Sequence, residues 1–141
     1  MLLGFKPRFV DPILDGTKLH TLRNARKVTP KVGEVLHMYT GLRTKHCKAI
    51  TNRYTLKGIQ VAHISVRRVK PPLNFISKTA FLIRIKVDGI PLQPDDIRKF
   101  CVADGFADGT DFASYWMGTA PKDATSITTT MDLFHWTDLK Y

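Results

Sequence analysis

At 141 residues, with 43% hydrophobic and 24% charged residues, the chain has the size of one ordinary globular domain, and residues 1–141 hold enough apolar material for one core. Its longest apolar runs, such as Phe81-Leu82-Ile83 and Met1-Leu2-Leu3, are too short to cross a bilayer or to form the apolar region of an export signal. A cytoplasmic protein with no membrane partner is therefore expected. Cys47 and Cys101 lack the paired spacing of a zinc site or redox motif, and both are read as reduced and structural.

The net charge of +10 raises the expectation of a polyanionic or anionic partner. Residues 1–70 hold 15 Lys+Arg against 3 Asp+Glu, net +12, whereas residues 71–141 hold 7 against 9, net −2. The basic N-terminal half is either a face that meets phosphates or a soluble surface with no specific partner.

Leu2-Leu3-Gly4-Phe5 is predicted to be a short strand that ends before Pro7. Asp11-Pro12 places an N-cap residue before a first-turn proline, and Gly16 stops the single helical turn that follows. From Lys18 to Arg23 the pattern is extended, with Lys18, His20 and Leu22 on one face and Leu19, Thr21 and Arg23 on the other. Neither face is cleanly apolar, which fits a site better than a core wall. Asn24 to Lys31 forms a basic loop before the strand Glu34–Tyr39, and Cys47–Tyr54 and Ile59–Val69 follow as strands. Pro71-Pro72 ends the last of these, and Asn74 to Lys78 reads as a loop.

Phe81–Val87 is a strand, and Asp88-Gly89 turns it back through Ile90 and Leu92 as a tight hairpin. Pro94-Asp95-Asp96 starts a helix in which Ile97, Phe100 and Cys101 recur at helical spacing, and Asp104-Gly105 ends it. Thr110-Asp111 begins a second helix carrying Phe112, Tyr115 and Trp116 on one side, and a last strand runs from about Thr128 to Trp136. Five to seven short strands with two or three short helices suggest an α+β fold, a small barrel with helices against its mouth.

The ordered pattern Phe5-x-Pro7-Arg8-Phe9, a one-turn helix, Gly16-x-Lys18-x-His20-Thr21-x-Arg23, and Gly33-x-x-Leu36 before a strand resembles the start of an ASCH domain. Asp104-Gly105-Phe106 and His135-Trp136 resemble later landmarks of that family, while Ile59 to Leu92 carries no signature of it. The resemblance implies a PUA-like fold, a small mixed β-barrel with short flanking helices, and a cleft beside the Lys/Thr/Arg motif that handles RNA or a modified nucleoside. One branch of the family hydrolyses the amide of N4-acetylcytidine with the motif lysine, the threonine three residues on and an acidic residue from the helical region. By position these are Lys18, Thr21 and Asp104. The acidic residue here is aspartate where that branch has glutamate, so its carboxylate reaches about one methylene less.

The chemistry of this set also follows from its residue types. Threonine becomes nucleophilic when a base takes its proton, and lysine can be that base once desolvation or a second cation such as Arg23 depresses its pKa. On an ideal strand Lys18 and Thr21 point to opposite faces, so a twist or bulge near Gly16 must bring them together. Asp104 can hold Lys18 or relay a proton to the leaving amine. Arg8 and Arg23 suit a phosphate or an oxyanion. Binding of RNA or a nucleotide through Arg8, Lys18, His20, Thr21, Arg23, Arg43 and Trp116 is one reading, amide hydrolysis a second, and a metal-independent ribonuclease a third.

Each residue also has a structural alternative. Thr21 can be a plain β-former, and Arg23 can be an ion-pair partner for Asp104. Trp116 and Tyr115 either stack on a base or pack their helix onto the sheet. Trp136 is assigned to the core. Arg43, Lys45, Lys48 and Arg53 are either a phosphate strip or a solvated edge strand. No pair among His20, His37, His46, His63 and His135 has ligand spacing, so neither a metal nor another cofactor is expected. The oligomeric state is left open.

Overall fold

The computed structural model describes residues 1–69 and 80–141. In chain order the elements are β1 (Leu2–Phe5), a 3-10 turn (Pro7–Phe9), α1 (Val10–Asp15), β2 (His20–Arg23), β3 (Val35–Thr40), β4 (Lys48–Thr55), β5 (Gly58–Val69), β6 (Ala80–Val87), β7 (Ile90–Pro91), α2 (Pro94–Ala103), α3 (Gly109–Met117) and β8 (Ser126–His135). The predicted stop at Pro71-Pro72 and loop at Asn74 to Lys78 lie outside the described residues.

The strands form two sheets. One has the order β1-β3-β4, with β1 parallel to β3, and the other the order β2-β8-β5-β6-β7, antiparallel throughout. The α+β class is as read from the sequence. The barrel does not appear as one closed sheet among the described residues.

Alternation along β5 sets the core. Ala62, Ile64 and Val66 are buried, while Val61, His63 and Arg67 face solvent, as a half-buried antiparallel strand requires. Ile85 and Val87 of β6 and Met131 and Leu133 of β8 join the same buried cluster. Phe100, Cys101, Phe112 and Met117 cover them from α2 and α3, and α3 lies against β5, β6 and β8. The hairpin between β6 and β7 turns at Asp88 and Gly89, with φ of 50° and 81°, and Val87 pairs with Ile90. Positive φ at both central residues is the geometry that an Asp-Gly turn favours.

Among the boundaries that differ from the sequence reading, three bear on the site and the packing around it. Helical geometry starts at Pro7, and the N-cap position of α1 is held by Phe9 rather than Asp11, with no side-chain capping bond; the Phe9 ring packs edge-on against Phe106. Gly16, at φ 84°, ends α1 as expected. At α3 the N-cap is Asp108, whose carboxylate accepts a hydrogen bond from the Asp111 N–H at 2.8 Å, so the helix begins before Thr110. Most consequential for the site, β2 contains only His20 to Arg23, leaving Lys18 outside the strand.

Candidate functional site

Because Lys18 precedes β2, strand alternation does not dictate where its side chain goes. The backbone there is held by other partners. The Lys18 N–H donates to Pro12 O at 2.9 Å, the Leu19 N–H donates to Ala103 O at 2.7 Å, and the Trp136 indole Nε1 donates to Lys18 O at 3.1 Å. The bond to Ala103 joins the motif to the last turn of α2, one residue before Asp104. No bulge in β2 is needed to bring Lys18 and Thr21 to one cleft.

Lys18 is 2% exposed and Asp104 3% exposed. The Lys18 ammonium donates to the backbone carbonyl of Asp104 and to its Oδ1, the latter at 3.2 Å. Asp104 is the C-cap of α2, where helix carbonyls lack partners and the helix dipole is negative. A cation bonded to both the carbonyl and the carboxylate satisfies the helix end and the charge together. The shorter aspartate side chain thus reaches Lys18 because the lysine comes to the helix end. Next to it, Gly105 has φ 96°, and a Cβ there would stand 2.9 Å from Lys18 Cδ and 3.0 Å from Phe9 Cδ1. Glycine is required by both backbone conformation and space.

A cleft of about 360 Å³ opens beside this pair. Its polar part comes from Lys18, Thr21, Arg23 and Asp104, and its aromatic wall from Phe5, Phe9, Phe106, Tyr115 and Trp116. The Lys18 ammonium lies 4.7 Å from the centre of the Phe9 ring, and the Arg23 guanidinium 4.7 Å from that of Phe5. Arg23 donates to Gly4 O at 2.7 Å and makes no ion pair with Asp104 among the described residues. The Nε of Arg23 and the indole Nε1 of Trp116 are buried donors without a hydrogen-bond partner among the described residues.

Burial pulls the Lys18 pKa down, Asp104 opposes the shift, and the charge of Arg23 adds to it. His20 is buried behind Asp104 and does not line the cleft. Its Nδ1 is 3.4 Å from Asp104 Oδ1, and its Nε2 is 2.7 Å from the Tyr141 hydroxyl. Nδ1 has no hydrogen-bond partner among the described residues, so the ring's side-chain hydrogen bond is the one between Nε2 and Tyr141. His135, edge-on to His20 with ring centres 5.4 Å apart, is also fully buried, and its pKa is depressed to about 4, first by desolvation and then by His20.

Other expected site residues are placed elsewhere. Arg8 points to Asp111 Oδ2 at 2.6 Å and covers Phe106, outside the cleft. Arg43 sits at φ 67° in the turn between β3 and β4, next to Leu42, which does line the cleft. Arg53 donates to Leu14 O at 2.8 Å and to the Tyr54 hydroxyl at 2.6 Å, so it closes the end of α1. Trp116 and Tyr115 pack on Phe112 and Phe106, the structural alternative, and also line the cleft. Trp136 is core, yet it also holds the Lys18 carbonyl; its place after the last strand gave no sign of this. Cys47 is exposed and Cys101 buried, both free, with the Cys101 thiol pushed up to about 12 by burial.

The structure therefore defines a mixed α+β protein with a cationic, aromatic-walled cleft built on a buried lysine–aspartate pair. No protein-family model, curated protein or solved structure matches the chain.

Two predictions follow from the buried groups. Lys18→Met leaves an uncompensated buried carboxylate and is expected to cost about 3–5 kcal/mol in urea unfolding. Lys18→Met/Asp104→Leu, which removes both charges, should recover most of that loss; additive losses would refute the pairing.

The acid response rests on His135, whose folded pKa of about 4 lies below its ordinary 6.5. Between these values the unfolded chain binds more protons, so stability is full above 6.5 and is lost as pH falls toward 4. Each such histidine contributes a slope of at most about 1.4 kcal/mol per pH unit. His20, also depressed by burial, acts in the same direction. Thermal midpoints should fall between pH 7 and 5, and His135→Phe should flatten the curve.

Proposed function

We propose that the chain is an ASCH-type, PUA-like protein whose cleft receives a nucleoside or nucleotide, free or within RNA. The observation that carries this is the pairing of aromatic walls with unpartnered donors in one cleft. Phe9, Phe106, Tyr115 and Trp116 give the cleft aromatic walls, Lys18 and Arg23 bring cationic groups to it, and the Arg23 Nε and Trp116 indole N–H on these lining residues have no partner among the described residues. A nucleobase has two apolar faces and a rim of carbonyl and ring-nitrogen acceptors, so it matches both features. The cleft volume of about 360 Å³ lies within the range of small-molecule sites.

Isothermal titration with cytidine, N4-acetylcytidine and adenosine tests the binding. Arg23→Lys, which loses the Nε donor, and Trp116→Phe, which keeps the ring and loses the indole N–H, should each weaken binding about threefold to tenfold. Absence of binding by every nucleoside, or equal affinity in both variants, would sink the proposal.

One observation favours a second reading, hydrolysis of an acylated cytosine amide. Lys18 and Asp104 are paired at 3.2 Å, and Thr21 borders the same cleft. The Thr21 hydroxyl would attack the acyl carbon as neutral Lys18 takes its proton. The C–N bond would break, with the amine leaving protonated through the Lys18–Asp104 pair, and water would then cleave the acyl-threonine ester. Burial and Arg23 both push Lys18 toward the neutral form this step requires. Incubation with N4-acetylcytidine should release cytidine and acetate, and Thr21→Val should abolish release while retaining binding. An inactive wild type that binds the nucleoside would eliminate hydrolysis and leave the first reading standing.

A further inference from the structure

The solvent face of the five-stranded sheet carries a second feature, separate from the cleft. Cross-strand register places three successive rows on this face: Thr130, His63 and Lys86; Thr128, Ser65 and Arg84; Ser126, Arg67 and Leu82. Residues directly opposite in antiparallel strands share a face, so these nine side chains form one surface. Two adjoining hollows of about 530 and 190 Å³ run over it and share Ser65 and Arg84. No residue lines both this groove and the cleft.

Its composition is one-sided. His63, Arg67, Arg84 and Lys86 are exposed, and none is paired with a carboxylate among the described residues. The nearest carboxylates in register, Asp132 and Asp88, stand in the neighbouring row with Val61, at one end of the groove. A face tuned only for solubility intersperses both signs. Hydroxyls of Ser65, Thr128, Thr130 and Ser126 fill the remaining positions. The His63 imidazole is the only aromatic ring and Leu82 the only large apolar side chain in the three rows.

We propose that this groove binds the sugar–phosphate backbone of a nucleic-acid strand. Cations and hydroxyls are the groups that contact phosphate and sugar oxygens, and they fix a strand without reading its bases. Lacking Phe, Tyr and Trp platforms, the groove holds the strand through its backbone, so its binding is independent of sequence. It also lacks the apolar anchors that a protein interface or an inserted membrane surface uses. The proposal goes beyond the cleft and stands without it.

The experiment is fluorescence anisotropy of a labelled single-stranded oligouridine over a salt series, with wild type and with Arg67→Gln/Arg84→Gln/Lys86→Gln. Neutralising three phosphate contacts should weaken binding by roughly tenfold or more at low salt and reduce the slope of log K against log salt by about 2. Oligoadenosine should give the same affinities in both proteins. Arg84→Lys/Lys86→Arg should restore the wild-type slope, and an unchanged thermal midpoint should confirm that these exposed changes leave the fold intact. Nucleoside titration into the cleft should be the same for the wild type and the triple variant, so failure of the groove and failure of the cleft are distinguishable. An unchanged slope in the triple variant would overturn the proposal, as would capture of phosphatidylserine vesicles or heparin through these residues with no oligonucleotide binding.

Discussion

The buried pair of Lys18 and Asp104 ties together parts of the chain that are 86 residues apart. Moving two charges into a protein interior is costly, and their mutual attraction offsets that cost only when further hydrogen bonds complete both groups. Here the ammonium bonds the carboxylate Oδ1 and the terminal carbonyl of α2, and the His20 ring stands 3.4 Å from the same Oδ1. The pair thereby fixes three things at once: the end of α2, the path of the chain from Gly16 into β2, and the inner edge of the cleft. Gly105 belongs to the same arrangement, since the space that a methyl group would occupy there is already filled by the Lys18 side chain and Phe9.

Much of this architecture was legible in the sequence because the relevant signals were local. The Asp88-Gly89 turn, the alternation along β5 and the helix stop at Gly16 each follow from one residue's conformational preference or from a period of two. The lysine, threonine and aspartate of the candidate site were named from their motif. Their geometry was not, because it depends on two facts that no local pattern carries. One is that β2 begins at His20, so that Lys18 escapes the strand's alternation. The other is that Leu19 bonds to Ala103, which brings the motif to the end of α2.

Arg8, Arg43 and Arg53 lie outside the cleft lining for a related reason. Arg8, Arg43 and Arg53 are cations near the motif or along its basic flank, and charge alone suggested a ligand for each. An arginine fork is satisfied equally well by a carboxylate or by helix carbonyls, and Arg8 and Arg53 are spent in those ways. Conversely, the groove of His63, Arg67, Arg84 and Lys86 was invisible as a charge cluster. Its members come from two strands separated in sequence, and only their register unites them.

The unpartnered polar groups separate structural from functional demand. Each buried donor or acceptor left without a partner costs about 1–3 kcal/mol. Arg23 Nε and Trp116 Nε1 incur that cost on two residues that line the cleft. A hydrophobic pair would serve the fold as well as Lys18 and Asp104 do, or better. Charged and unsatisfied groups converging on one aromatic-walled cleft are thus poorly explained by stability. His135 is the contrasting case, since both its ring nitrogens are unpartnered and it does not line the cleft. Its effect is confined to the fold, which burial keeps stable only while the ring remains neutral.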